Sequence, residues 1–298
     1  MQQILTLVAA PGGMPLDDSI LAGVRAALEE GDANVAPPRW LAPGLAADLP
    51  FAGLPAAAAE AAARRALGGK PFDLLAQASA GRRKELLLAD MDSTIVGVET
   101  LDELADFAGL KDRVATITER SMRGDIDFVQ ALEARVAMLA GLPAAMLEEA
   151  YKRVVFVPGA EALVRTMRAH GAFTALVSGG FRFFTERVRS AIGFDYDEAN
   201  SLEIIDGRLT GRVVPPIINR DGKLNALGRL AKERGVALSA TLAVGDGAND
   251  LAMIHAAGLG VAFRGKPALA AEARARIDHG DLTALLYFQG YSAADFAR

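Results

Sequence analysis

The stretch Leu86-Leu87-Leu88-Ala89-Asp90-Met91-Asp92-Ser93-Thr94 joins a short apolar run to two carboxylates that are two residues apart. A run of this length and composition predicts a buried strand, and the residues that follow such a strand lie at the carboxyl edge of a parallel sheet. Side chains two residues apart on an extended chain point to the same side. The stretch therefore predicts an α/β fold that presents Asp90 and Asp92 together at one sheet edge.

A second acidic cluster, Gly245-Asp246-Gly247-Ala248-Asn249-Asp250, follows another apolar run, Leu242-Ala243-Val244. Two strand tips of one sheet bring their carboxylates close together, and Mg²⁺ prefers oxygen ligands of this kind. The cluster lacks the third glycine of a dinucleotide fingerprint, which disfavours nicotinamide binding. The two clusters together are typical of a magnesium-dependent phosphatase.

Composition excludes several classes of protein. The chain has 298 residues, is 51% hydrophobic, carries a formal charge of −5 and contains no cysteine. A long basic run, the usual footprint of a nucleic-acid partner, is missing. We expect no nucleic acid partner and no membrane partner, because no segment reaches the roughly 18 apolar residues that span a bilayer. Without cysteines or a secretory leader, the sequence favours a cytoplasmic protein.

Residues 1–80 predict a small α+β module. Strand-like and helical runs alternate there in an order that resembles the βαββαβ arrangement of ACT-type regulatory modules. The alanine-rich run from Ala57 to Ala63 is equally typical of an ordinary surface helix. If the resemblance holds, this module serves regulation or forms a homodimer. The basic stretch Gly81-Arg82-Arg83-Lys84 is interpreted as a solvated linker.

From residue 85 to residue 298, strands and helices alternate as in a doubly wound, Rossmann-like α/β fold. Residues 97–157 show helical periodicity without a convincing strand, so they predict a helical cap inserted into a core of residues 85–96 and 158–298. Leu202 to Arg212 reads as a hairpin, because Asp206-Gly207 suits a type I′ turn.

The residue types point to transfer of a phosphoryl group. A phosphate monoester needs a nucleophile already in place and compensation of its negative charge. Asp90 is the candidate nucleophile, because a carboxylate needs no base, and Asp92 is the candidate acid and base. Ser178, which follows the apolar run Ala175-Leu176-Val177, and Lys223 are candidates to hold the phosphoryl oxygens.

Four features occur in a fixed order along the chain: Asp90-x-Asp92-x-Thr94, Ser178 at a strand end, Lys223, and Gly245-Asp246-x-x-x-Asp250. Their order resembles that of the motifs of the haloacid dehalogenase (HAD) superfamily. In their detail they resemble the phosphoserine phosphatase family within it. The similarity covers about residues 85–290. It rests on six segments: Asp90-Met91-Asp92-Ser93-Thr94-Ile95-Val96, Glu99-Thr100-Leu101-Asp102, Met122-Arg123-Gly124-Asp125-Ile126-Asp127-Phe128, Arg135-Val136, Val177-Ser178-Gly179-Gly180-Phe181 and Gly245-Asp246-Gly247-Ala248-Asn249-Asp250-Leu251.

The resemblance implies a role for each matching position. Asp90 would be the nucleophile and Asp92 the acid and base, while Asp90, Asp92 and Asp246 would ligate Mg²⁺ with Asp250 in support. The residues implied to bind phosphate or the reacting end of the substrate are Ser178, Gly179, Lys223 and Asn249. Independently of the resemblance, the octahedral oxygen shell of Mg²⁺ suits Asp90, Asp246 and the backbone carbonyl of Asp92.

The substrate, O-phosphoserine, also has a chemical rationale. It carries a carboxylate and an ammonium beside its phosphate, so a selective pocket needs a base and an acid facing inward. Arg135 and Glu99 supply that pair, and Phe128 is placed to close the pocket against water. Taken alone, Glu99 is equally typical of a first-turn partner of a helix dipole and Arg135 of an exposed helical charge, and Phe128 is more often a core residue.

Three functions are compatible with the sequence. The first is hydrolysis of O-phospho-L-serine to L-serine, the last step of L-serine biosynthesis. The second is hydrolysis or transfer of a phosphoryl group from another small monoester on the same scaffold. The third is a regulatory amino-acid-binding protein without turnover, which the intact acidic clusters disfavour.

Overall fold

The computed structural model describes residues 2–122 and 126–297. Arg123, Gly124 and Asp125, in the middle of the segment quoted from Met122 to Phe128, lie outside the described residues. Among the described helices, none is long and apolar enough to cross a membrane.

The N-terminal part is an antiparallel sheet with two helices on one face. The strand order is β2-β4-β1-β5, and β3 also pairs with β4. There is one strand more than the expected βαββαβ order. The elements are, along the chain, β1 (Gln3–Ala9), α1 (Asp18–Glu29), β2 (Asn34–Val35), β3 (Arg39–Ala42), β4 (Ala46–Ala52), α2 (Ala56–Leu67) and β5 (Phe72–Ala78).

Both faces of this first sheet are covered. Leu5 and Leu7 pack with α1 and α2 in an apolar core made only of N-terminal residues. Val8 and Leu75, which point to the other face, belong to the core of the remaining chain. The N-terminal sheet therefore lies against the second half of the protein.

The second sheet has the predicted doubly wound α/β topology. Its strand order is β12-β11-β10-β6-β7-β8-β9, and all neighbours are parallel except β8 and β9. Its strands are β6 (Leu86–Ala89), β7 (Phe173–Phe181), β8 (Tyr196–Ile205), β9 (Arg208–Val214), β10 (Thr241–Gly245), β11 (Leu259–Phe263) and β12 (Ala275–Ile277). The strands β6 and β10 are adjacent, with Ala89 opposite Val244, so the two acidic clusters follow neighbouring strands.

Helices cover the second sheet and fill the insertion between β6 and β7. In chain order they are α3 (Thr100–Phe107), α4 (Lys111–Met122), α5 (Phe128–Ala137), α6 (Met146–Tyr151), α7 (Ala160–Ala169), α8 (Arg182–Ile192), α9 (Arg220–Arg234), α10 (Leu251–Ala256), α11 (Pro267–Glu272) and α12 (Ala284–Phe288). The first four, α3 to α6, form the cap. Its two connections to the core run side by side, with the Gly97 N–H donating to the Val155 carbonyl at 2.9 Å.

The hairpin of β8 and β9 ties the cap to the edge of the sheet. Asp206 and Gly207 both have positive φ, 51° and 73°, as the predicted type I′ turn requires. The hairpin reaches the segment after α5, where the Gly141 N–H donates to the Leu209 carbonyl at 2.8 Å. Gly211 lies so close to the end of α5 that an added Cβ would be 2.9 Å from the Cβ of Ala140.

The prediction of a solvated linker at residues 81–84 is wrong. Arg82 and Lys84 are buried. Arg82 Nη2 lies 2.6 Å from Oδ2 of Asp48 in β4, and the Lys84 ammonium donates to the Ser239 carbonyl at 2.8 Å. The stretch connects the two sheets, because Arg82 binds Asp48 of the first sheet and Lys84 binds the Ser239 carbonyl next to the second.

Candidate active site

Asp90 and Asp246 lie at adjacent strand tips and belong to one buried acidic cluster. Oxygens of Asp90, Asp246 and Asp250 all lie within 4.8 Å of one another. Burial raises the pKa of Asp90 and of Asp246, because carboxylates removed from water and placed side by side resist ionisation. A hard cation among these oxygens would favour their ionised form, so the donor set fits Mg²⁺.

Lys223 supplies the cluster with a fixed positive charge. It comes from the first turn of α9 and is buried. Its ammonium lies 2.7 Å from Asp90 Oδ1 and 2.6 Å from Asp250 Oδ1. Burial alone lowers the pKa of Lys223, but Asp250 and Asp90 raise it by more, so the pKa lies above its ordinary value. The lysine is therefore charged and joins the two acidic clusters.

Asp250 already has a donor at each carboxylate oxygen. Lys223 donates to Oδ1, and the Gly247 N–H donates to Oδ2 at 3.0 Å. A side chain on Gly245 would collide with this carboxyl group, so glycine is needed there. This arrangement leaves Asp90 and Asp246 as the better direct metal ligands and Asp250 as a residue that orients the site.

Asp92 is turned away from the acidic cluster, toward the cap. Its Oδ1 accepts from the Thr100 N–H at 2.9 Å, and Ser178 Oγ lies 3.4 Å from its Oδ2. Burial, helped by the nearby charge of Glu99, raises the pKa of Asp92 to about 7. A carboxyl group with this pKa can both give and take a proton near neutral pH. That Asp92 contributes its backbone carbonyl to a metal stays a prediction.

Ser178 and the two glycines after it form a close wall on the other side of Asp92. The Gly180 N–H donates to Ser178 Oγ at 2.9 Å, and a Cβ on Gly180 would be 2.7 Å from Asp92 Oδ2. Asn200, in β8, donates from Nδ2 to the Gly179 carbonyl at 2.8 Å. Sequence reasoning missed Asn200, whose position in a polar stretch gives no local signal.

The cap residues Glu99, Phe128 and Arg135 line the same small cavity as Asp90 and Asp92, with a volume of about 100 Å³. Phe128 begins α5, whose N-cap is Asp127 in a capping box with Gln130. The ring of Phe128 covers Gly179, where an added Cβ would lie 3.0 Å from Cζ. Six of the seven predicted substrate residues line this cavity, namely Glu99, Phe128, Arg135, Ser178, Gly179 and Asn249. Lys223 does not line it and lies behind Asp90, which it contacts at 2.7 Å.

Lys266 also lines the cavity, although the sequence did not point to it. Its ammonium lies 3.1 Å from Asp246 Oδ2 and 3.6 Å from Glu99 Oε1. The residue follows β11, whose tip lies at the same sheet edge as that of β10, which is the signal that was available. Burial lowers the pKa of Lys266, but Asp246 and Glu99 outweigh it, so the pKa is raised.

The comparisons with known proteins agree with this geometry. The family model of haloacid dehalogenase-like hydrolases matches residues 87–255. A phosphoserine phosphatase of Streptomyces coelicolor is 41% identical over 286 residues, which are 93% of this chain and 69% of that protein. The chain belongs to the phosphoserine phosphatase family of HAD hydrolases. It is therefore a phosphatase by family.

Other members of the phosphoserine phosphatase family are similarly related. The phosphoserine phosphatase of Mycobacterium tuberculosis is 45% identical over 216 residues, and the match spans 72% of this chain but only 53% of that protein. The crystal structure of a probable phosphoserine phosphatase from Vibrio cholerae, in its unliganded form, superposes with a TM-score of 0.79 at 29% identity and covers 99% of this chain and 88% of that one. The architecture described above, both sheets included, is therefore shared with a solved member of the family.

Proposed function

We propose that the protein hydrolyses O-phospho-L-serine to L-serine and phosphate, with Mg²⁺ and through an aspartyl-phosphate on Asp90. The observation that carries the proposal is the shared cavity: the acid pair Asp90 and Asp92 faces the same space as Arg135 and Glu99. The first pair suits the phosphoryl group, and the second suits the carboxylate and ammonium of an amino acid. In metabolism this reaction would be the last step of L-serine biosynthesis.

In the first step, a carboxylate oxygen of Asp90 attacks phosphorus. The bond between phosphorus and Asp90 forms as the bond to the serine oxygen breaks, and Asp92 gives its proton to that oxygen. In the second step, Asp92 takes a proton from water as the water oxygen attacks phosphorus and the bond to Asp90 breaks. Asp92 returns to its acid form, which the pKa of about 7 makes accessible near neutral pH.

The metal would be held by Asp90, Asp246 and the backbone carbonyl of Asp92. When bound, Mg²⁺ supplies positive charge that screens the phosphate dianion from the carboxylates. Asp250 keeps the cluster in place through the Gly247 N–H and Lys223. Ser178, the Gly179 amide, Lys223 and Asn249 are proposed to hold the phosphoryl oxygens.

Selection of the substrate is proposed to lie in the cap. Arg135 grips a carboxylate with two parallel hydrogen bonds, and Glu99 accepts from the ammonium. Phe128 separates the site from bulk water by lying over Gly179. Burial lowers the pKa of Arg135, and the guanidinium nonetheless remains charged at any physiological pH.

We also propose how the chain is divided. Residues 1–80 would be a separate α+β module of ACT-like type, residues 85–96 and 158–298 the catalytic core, and residues 97–157 the cap. An apolar core made only of residues between 5 and 76 supports the first boundary. A homodimer through the N-terminal module stays a prediction.

The test is phosphate release from O-phospho-L-serine, with Mg²⁺ and again with EDTA. Phosphothreonine, phosphoethanolamine and p-nitrophenyl phosphate serve as comparison esters. Metal-dependent release that prefers phosphoserine supports the proposal. Release only from the other esters would support phosphatase activity but contradict phosphoserine as the substrate. Formation of a new phosphate ester in added alcohol would favour phosphotransfer.

A further inference from the structure

Lys266 places a positive charge on a half-exposed side chain between two carboxylates, each of which the proposed reaction needs for another cation. Its ammonium lies between Asp246 on the core, at 3.1 Å, and Glu99 at the start of the cap, at 3.6 Å. The first is a proposed ligand of Mg²⁺ and the second the proposed acceptor of the substrate ammonium. A single lysine thus contacts the binding groups of both cations.

Lys266 differs from Lys223 in how firmly it is held. The side chain of Lys223 is 1% exposed, whereas that of Lys266 is 49% exposed. The main chain of Lys266 is fixed, because its N–H donates to the Asp246 carbonyl at 2.8 Å. The long side chain can therefore move its ammonium into water while the backbone stays in place.

We propose that Lys266 is a positioning residue that couples binding of the divalent cation to binding of the amino-acid ammonium. The ammonium of Lys266 neutralises Asp246 and Glu99 when the site is empty. Mg²⁺ must displace it from Asp246, and the substrate ammonium must displace it from Glu99. Whichever cation binds first releases the lysine, so the second binds more tightly, and by linkage the effect is equal in both directions. The inference rests on the proposed function.

Glu99 has another contact that makes this exchange workable. Ser93 Oγ donates to Glu99 Oε1 at 2.8 Å, which keeps the carboxylate in position after the lysine has left. Asp246 lies next to the other acids of the cluster, so it remains attractive to a cation. Both acceptors thus stay in place for the incoming ligands.

The test measures Mg²⁺ affinity by isothermal titration calorimetry, with and without saturating L-serine, which lacks the phosphate that would itself bind the metal. In the native protein L-serine is expected to tighten Mg²⁺ binding severalfold. In Lys266→Met, Mg²⁺ alone is expected to bind about tenfold more tightly, the scale of the Coulomb energy between a unit charge and a divalent ion about 6 Å apart in water-like surroundings. L-serine should then add no further tightening.

Structural damage predicts the opposite result, because a disturbed site binds Mg²⁺ more weakly. Lys266→Gln is the second variant, should methionine impair folding, and Lys266→Arg should keep the native coupling because it retains the charge. The exposed residue Lys232, as Lys232→Met, controls for loss of a positive charge elsewhere. Native or weaker Mg²⁺ affinity in both neutral variants, or a persisting effect of L-serine, overturns the inference. Failure of the native enzyme to release phosphate from phosphoserine overturns the proposed function instead.

Discussion

Lys223 and Asp90 form a buried ion pair, in which the lysine Nζ lies 2.7 Å from Oδ1 of the aspartate. The side chains are 1% and 6% exposed. A charge removed from water is tolerated only while its partner is present. The relationship therefore links the proposed nucleophile to the stability of the catalytic core.

Lys223→Met is expected to lower the free energy of unfolding by about 3–5 kcal/mol, because it leaves buried carboxylates without their cation. Turnover of phosphoserine should fall below detection. Urea denaturation followed by circular dichroism, with a phosphate-release assay, measures both. Lys232→Met, an exposed position in the same helix, should change stability by less than about 0.5 kcal/mol. A Lys223→Met variant that remains as stable as the native protein contradicts the pairing.

Asp92→Asn should separate the two chemical steps. With phosphoserine, whose leaving group needs a proton, the rate is expected to fall by about 10²–10⁴-fold. With p-nitrophenyl phosphate, whose leaving group needs none, the first step should survive and the second should stall. Rapid-quench kinetics should then show a burst of p-nitrophenolate equal to the enzyme concentration, followed by slow turnover. Asp112→Asn, at an exposed position of the cap, is the control, and equal losses on both esters without a burst would exclude the role of Asp92.

The raised pKa of Asp92 should also appear in the stability of the metal-free protein. Its pKa is about 7 in the folded state against an ordinary value of 3.8, so between these values the folded state binds more protons than the unfolded state. Stability must fall as the pH rises through this window. The contribution of one such group is about 4 kcal/mol at most.

Urea denaturation in EDTA at about pH 4.5 and pH 7.5 measures this dependence on pH. The loss of stability between the two pH values is expected to be smaller in Asp92→Asn than in the native protein. Identical losses in the two proteins would mean that Asp92 does not hold its proton in the folded state.

Arg135→Ala should weaken recognition of phosphoserine without impairing the transfer of the phosphoryl group. Loss of charged hydrogen bonds to the serine carboxylate is expected to lower kcat/KM for phosphoserine by about 10–100-fold. For p-nitrophenyl phosphate, which has no carboxylate, the change should be within about threefold. Arg113→Ala, an exposed arginine of the same cap, is the matched control. Equal losses on both esters would show that Arg135 supports the cap and does not select the substrate.

Asp73, in β5 of the N-terminal sheet, hydrogen-bonds to a loop of the second part of the chain. Its carboxylate accepts from the N–H groups of Asp278 at 2.8 Å and Gly280 at 2.6 Å, in the loop after β12. Asp73→Ala leaves these donors unpaired and is expected to cost about 2–4 kcal/mol of stability. Thermal and urea unfolding measure the loss, which the exposed substitution Asp18→Ala should not reproduce. Activity at saturating Mg²⁺ should remain close to native, and an inactive but fully stable variant would refute a purely structural role.

The strand tips were predictable from the sequence because their signals are local. Each acidic cluster directly follows an apolar run, and neighbouring parallel strands then bring Asp90 and Asp246 together. The hairpin turn was predictable for the same reason, since Asp206 and Gly207 tolerate positive φ. The charges of O-phosphoserine further predicted that an acid and a base of the cap, Glu99 and Arg135, face the cavity.

Lys266 and Arg82 were not predictable in this way. Lys266 stands in Arg264-Gly265-Lys266-Pro267, which is typical of an exposed turn, and only the pairing of β11 with β10 brings it to Asp246. Arg82 looks like part of a solvated basic run, and its partner Asp48 lies in another sheet. In both cases the deciding contact joins residues far apart in sequence, where local pattern carries no information.

The contact between Gly211 and the end of α5 has an evolutionary consequence. Through it, α5, which bears Phe128 and Arg135, packs against the outermost strand of the sheet, whereas Asp90, the proposed nucleophile, follows the central strand β6. If Phe128 and Arg135 recognise the substrate as proposed, we expect substitutions on β9 to shift these two residues relative to Asp90 without changing any residue proposed to touch phosphorus. On the proposed function, this distant edge of the sheet would be a place where the preference for the organic part of an ester changes while the phosphoryl chemistry stays the same.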